Sequence, residues 1–157
     1  MLCRVAHVLH KPAGKALLIL LVICFSGCSS VVESRYYKNV PVGSLKSAYV
    51  VHDPGSTLGC AKAAEEALAA RGLAVGSGPI QAKPKDVDFF VEVVDRWQWD
   101  VAMFLASLDI YFKDNATGEL IVSGSFRQTR FFHTFPDARK KTFEVIDSIY
   151  NSQRAPK

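Results

Sequence analysis

Cysteine is scarce in this chain of 157 residues, with four in all, which is too few for a framework of several disulfides. The glycine period of collagen, the heptads of a coiled coil and the Pro/Gly excess of low-complexity disorder are missing as well; 10 Gly and 7 Pro are ordinary usage. There is no Gly-x-Ser-x-Gly, no Walker lysine loop and no dinucleotide fingerprint, so no familiar motif for acyl transfer, phosphate cradling or hydride transfer is present. His52 and His133 stand singly, without the paired spacing of a zinc site. Neither a catalytic residue, a metal nor a cofactor is expected. What is present, 49% hydrophobic and 22% charged residues, suits one ordinary globular domain with enough chain to bury a core.

Acid is absent from residues 1–27, which carry Arg4, Lys11 and Lys15, whereas the rest of the chain is nearly balanced in charge. The net charge of +4 is therefore mostly a property of the leader. A nucleic-acid partner needs a basic face on the folded domain, and none is expected here. From Ala16 to Phe25 the chain is uncharged and apolar, then small residues follow at Ser26-Gly27-Cys28-Ser29-Ser30. That run is too short to span a bilayer comfortably, since each helical residue adds only about 1.5 Å. A basic start, a short apolar core and small residues at its end form an export signal.

Phe25-Ser26-Gly27-Cys28 resembles the lipobox of bacterial lipoproteins, with Phe25 where Leu is the commoner residue. The resemblance implies cleavage between Gly27 and Cys28 and acylation of Cys28 with diacylglycerol and palmitate-like chains. Two or more chains anchor a protein stably where one holds only marginally. Ser29, rather than Asp, follows the cysteine. In lipoproteins this implies sorting to the outer membrane, on its periplasmic face. A lipidated Cys28 cannot pair with Cys60, so Cys60 is a lone thiol in an oxidising compartment, and burial on the core stripe of a helix is its plainer reading.

The mature chain divides into a lipidated N-terminus and tether at 28–46, one α+β domain at 47–151 and a disordered tail at 152–157. Residues 29–45 show no sustained period and read as a flexible tether. Ser47 to His52 is β-rich and is stopped by Asp53-Pro54-Gly55. Ser56 or Thr57 can cap a helix from about Leu58 that Gly72 ends, with Cys60, Ala64, Ala67, Leu68 and Arg71 on one stripe and Lys62, Glu65, Glu66 and Ala69 on another. Leu73-Ala74-Val75 is a short strand. Alternation then runs through Val87, Phe89, Val91 and Val93, and again through Ala102, Phe104, Ala106, Leu108, Ile110 and Phe112. Asn115-Ala116-Thr117-Gly118 turns the chain into a third long strand, Leu120 to Phe132, with Arg127 and Arg130 outward. Pro136-Asp137 starts a last helix whose apolar stripe is Ala138, Thr142, Val145, Ile146 and Ile149. The order β-α-β-β-β-β-α predicts a mainly antiparallel sheet with two helices on one face.

Both tryptophans lie in Asp95-Arg96-Trp97-Gln98-Trp99-Asp100, which joins two long strands. Arg96, Trp97, Trp99 and Asp100 are candidate contacts for an envelope protein or glycan, because Trp offers a large apolar surface with one polar handle. Cross-strand packing of a bent hairpin explains the same residues, and a strand continuing without a tight turn would send the tryptophans to the core. Asp86 with Asp88, or Asp95 with Asp100, could form an acid couple only if a cleft held them together. Arg139-Lys140-Lys141 opposes the helix dipole and suits either an anionic contact or a solvated face. Asn115-Ala116-Thr117 is a sequon, which matters only where a glycosylation system exists. Residues 86 to 125, through Trp97-Gln98-Trp99-Asp100, Leu108-Asp109-Ile110 and Thr117-Gly118, are loosely similar to small envelope lipoproteins of unassigned role. The expected function is a membrane-anchored, non-enzymatic binding or support role in the envelope. The alternatives are a hydrolase of envelope polysaccharide or peptidoglycan and a binder of periplasmic small molecules.

Overall fold

The structure is a computed structural model and describes residues 30–52, 59–128 and 135–153. The signal segment, Cys28, the turn at 53–55, the capping pair Ser56 and Thr57, and Arg130, Phe132 and His133 lie outside the described residues. Among the described residues six strands form one mixed sheet: β1 (Ser30–Tyr36), β2 (Ser47–Val51), β3 (Ala74–Gly78), β4 (Phe89–Trp99), β5 (Met103–Asp114) and β6 (Leu120–Gln128), in the order β1-β6-β5-β4-β2-β3. Helices α1 (Cys60–Ala69) and α2 (Ala138–Ser152) pack side by side on one face. The class is α+β, and antiparallel pairing runs from β1 through β4.

The β2-α1-β3 passage explains why the sheet is mixed. A helix laid across the sheet returns the chain to the end from which β2 started, so β3 must run parallel to it. β4 then joins the other side of β2, also parallel. Asp88 fixes that register: its Oδ2 accepts from the backbone N–H groups of Lys46 and Ser47 at 2.7 and 2.9 Å. Those two bonds hold its carboxyl below the ordinary range.

Helix α1 follows Gly59, which takes the left-handed conformation as N-cap with no side-chain cap. It therefore starts two residues later than capping by Ser56 or Thr57 predicts. Its apolar stripe is broader than expected, since Ala61 and Ala63 are buried along with Cys60, Ala64, Ala67 and Leu68. Gly72, at φ +82°, lets the N–H of Leu73 return to the Leu68 carbonyl and closes the helix as the sequence suggests. Asp137 caps α2 by accepting from the Lys140 N–H, and Thr142, Val145, Ile146 and Ile149 are its buried face.

Three expectations are corrected. The tether read into 28–46 is part of the domain from Ser30 onward: Ser30–Tyr36 pairs along its length with β6, and Val42 is buried. Val32, Ser34 and Tyr36 turn inward, and Tyr36 Oη donates to the Ile149 carbonyl at 2.6 Å. At the other end, Ser152 closes α2 and Gln153 donates to the Val40 carbonyl, so the tail read from 152 starts too early; residues 154–157 lie outside the described residues. The last correction concerns β5, where a register shift opposite Arg96/Trp97 reverses the alternation. Leu105 shares the core with Leu108, Ile110 and Phe112, whereas Phe104, expected on that face, packs edge-on against Phe135 at 6.2 Å.

Candidate functional site

The segment Asp95 to Trp99 is strand, not connection. β4 runs to Trp99, pairs with Met103 there, and only Asp100 to Ala102 turns the chain. Trp97 and Trp99 both lie beyond the bulge at Arg96/Trp97 and, two residues apart, on one face of β4. Trp97 packs partly buried against the core, and its Nε1 donates to Asp95 Oδ2 at 2.9 Å. Trp99 projects from the sheet end with 72% of its surface exposed, beside Val101 at 84% and Met103 at 46%. Of the four candidate contacts, Arg96, Trp99 and Asp100 are exposed and Trp97 is largely structural.

The sheet face opposite the helices carries two depressions. One, of about 320 Å³, lies at the hairpin end between Arg96, Gln98, Phe104, Ser107 and Arg127. There one guanidinium nitrogen of Arg127 bridges both carboxylate oxygens of the buried Asp109, at 2.7 and 2.9 Å. The sequence places Arg127 outward but gives no sign of this partner. The other cleft, of about 380 Å³, is lined by Val51, His52, Ile80, Gln81, Glu92 and Val94. His52 is paired with Glu65 of α1. Burial would raise the Glu65 carboxyl, but bonds from His52, Lys62 and Ser77 outweigh it and hold it low.

The remaining candidates do not converge. Asp86 is exposed, and Asp88 clamps backbone. Asp95 holds Trp97, while Asp100 stands in the hairpin turn. Arg139 pairs with Glu66 and stacks on Phe143, Lys141 pairs with Glu144, and Lys140 supplies the N–H that Asp137 caps. Asn115 accepts from Lys83 and donates to the carbonyls of Pro84 and Lys85, so the sequon asparagine anchors the β3–β4 connection. Among the described residues no group of three or more His, Cys, Asp or Glu could hold a metal ion, and no helix is long and apolar enough to cross a membrane.

Cys60 is fully buried. Burial foremost, with the Asp95 carboxylate adding to it against a hydrogen bond with Thr142, pushes the thiol up to about 12. The folded state thus keeps a proton that the unfolded chain releases near pH 9, and its contribution to stability is intact below that pH and lost as pH rises toward 12. Alkylation of Cys60 at pH 8 is expected to be at least about a hundred-fold slower in the folded protein than in urea, because burial both shields the sulfur and disfavours its thiolate. Folded and unfolded rates within tenfold of each other would show an open thiol.

No protein-family model matches the sequence, and no curated protein matches it. Solved structures do resemble the fold. The PelC dodecamer from Paraburkholderia phytofirmans superposes with a TM-score of 0.53 at 14% identity, over 82% of this chain and 100% of that one. A methionine-substituted variant of the same dodecamer, in another crystal form, gives the same values. A PDZ domain protein from Parabacteroides distasonis follows at a TM-score of 0.48 and 11% identity, over 82% of this chain and 37% of its own.

Proposed function

We propose that this chain is a bacterial lipoprotein, cleaved after Gly27 and acylated on Cys28, held at the periplasmic face of the outer membrane in a non-enzymatic role supporting an envelope assembly. One observation carries the reading: a basic leader and a ten-residue uncharged run end at Gly27-Cys28, two residues before the first residue of the folded sheet. The acyl chains would hold the domain stably without a second membrane element. The likeness over the whole length of a protein crystallised as a dodecamer favours an assembly of identical copies. One carboxylate of each candidate acid couple is already engaged, Asp88 by backbone N–H groups and Asp95 by Trp97.

Metabolic labelling with an alkynyl palmitate tests the anchor. Wild-type protein is expected in the outer-membrane fraction carrying label, and Cys28→Ala is expected to lose both label and membrane retention. A Cys28→Ala protein that stays equally membrane-bound would overturn the reading. Native mass measurement of the detergent extract tests the assembly, and a strictly monomeric extract would remove that part.

A further inference from the structure

We infer that the β4–β5 hairpin tip is a lipid-docking surface, with Trp99, Val101 and Met103 entering the headgroup boundary of the bilayer to which Cys28 is tethered. The inference rests on the acylation of Cys28 proposed above and adds how the domain sits on the membrane.

The strand register carries the argument. Ser30 pairs with Gln128, its neighbour Arg127 pairs with Ser107, and Ser107 pairs with Arg96. Ser30, Gln128 and Arg96 therefore mark one end of the sheet. β1 begins at that end, and Cys28 is two residues further out, a reach of at most about 7 Å. From Arg96 the hairpin continues for three more residues to Trp99, about 10 Å beyond the same row. Covalent reach alone keeps Cys28 within about 7 Å of Ser30, at the end of the sheet from which the hairpin tip extends, so acyl chains on Cys28 would hold that end, with Trp99, Val101 and Met103, against the bilayer surface.

The chemistry of the tip fits that position. Its exposed apolar side chains are Trp99, Val101 and Met103, while Phe135, 55% exposed, packs on Phe104, which alternation turns to the other face of the sheet. A lone exposed apolar residue is ordinary, but three within one hairpin turn, at the end of the sheet where β1 begins, form a patch. Tryptophan suits a membrane interface because its ring is apolar and its N–H is wet. Arg96 is exposed about one headgroup depth behind Trp99, where lipid phosphates would lie. Asp100, the carboxylate of the turn, is the opposing charge, and the hydrated headgroup layer can solvate it. An aqueous protein partner could use the same patch, but only a lipid surface is brought to it by the covalent anchor.

The test uses the full-length protein, exported and acylated, reconstituted into vesicles of phosphatidylethanolamine and phosphatidylglycerol with brominated acyl chains. The chain has two tryptophans, so Trp97→Phe leaves Trp99 as the sole emitter and Trp99→Phe leaves Trp97. Emission from Trp99 is expected to shift to the blue and be quenched severalfold by bromolipid, with Trp97 little affected. Because Trp97 packs on the core, a second measurement guards against misfolding of its variant: a polarity-sensitive dye on Val101→Cys should show the same blue shift, Cys60 being buried and unlabelled. Acylated, vesicle-bound protein whose Trp99 is not quenched overturns the inference and leaves the anchor standing. Trp99 shielded from aqueous acrylamide yet untouched by bromolipid assigns the patch to a second copy or another protein, which also overturns it. Absence of acylation overturns both.

Discussion

Gly124→Ala is expected to destabilise the domain by about 3 kcal/mol, toward the upper end of what overpacking costs. Gly124 lies in β6 beneath α2, and a Cβ built there would stand 2.6 Å from Val145 Cγ1 and 2.9 and 3.0 Å from Ile149 Cδ1 and Cγ1. Both neighbours are fully buried. Neither side can yield easily. Valine on a helix has essentially one rotamer, and β6 is held at Gly124 between Ser34 of β1 and Ile110 of β5. The helix must lift, which would strain the bonds from Tyr36 and Ser34 to the Ile149 and Ser148 carbonyls. The gain from stiffening the unfolded chain, roughly 0.4–1 kcal/mol, is too small to compensate. Equilibrium urea unfolding measures the loss. Combining Gly124→Ala with Val145→Ala should give back more than about 1 kcal/mol relative to the sum of the single changes, because the second substitution vacates the space the first needs. Strict additivity would mean that helix and strand do not meet at this point.

That contact illustrates what could be read in advance and what could not. The apolar stripe of α2, the capping aspartate, Gly72 at the end of α1 and the turn at Asn115 to Gly118 all follow from local chemistry, and local chemistry is written in adjacent residues. β1 is different. Its inward residues are Val32, Ser34 and Tyr36, and two of these are polar because they donate to carbonyls of a helix more than a hundred residues away. An apolar period is thus replaced by tertiary hydrogen bonds that neighbouring residues do not announce. The parallel pairing of β4 with β2 is equally silent, since strand period specifies a face and not a partner.

The tryptophan segment shows the same limit at the site. Its composition marks it as unusual, and period 2 puts both rings on one face of β4, but how far each stands from the hairpin end decides which is covered. The sequence alone offers Trp97 and Trp99 as equivalents, whereas their places along the hairpin make one a brace and the other a surface.

Phe112→Ala should cost about 3–5 kcal/mol, the range for removing a buried aromatic ring. Phe112 is wholly buried near the end of β5, with Phe89 of β4 at 4.9 Å between ring centroids and Tyr150 of α2 at 6.4 Å edge-on. Tyr150 in turn lies under the Arg71 guanidinium at 5.0 Å, and Arg71 bonds the Ala67 carbonyl and pairs with Asp147. The ring therefore supports a chain of contacts that joins the sheet to the end of α1 and the face of α2. Removing it leaves a cavity that only a shift of Tyr150 could fill. Burial, partly offset by Arg71, pushes the Tyr150 phenol up to about 12. The cavity should let water reach it, so in Phe112→Ala this phenol titrates nearer the ordinary value of about 10. Phe112→Leu, which retains most of the volume, should cost far less, about 1–1.5 kcal/mol. Urea unfolding measures the stabilities, and absorbance near 295 nm follows the phenol. A Phe112→Ala protein within about 1 kcal/mol of wild type, with its late-titrating tyrosine unmoved, would mean that the rings do not bear on one another.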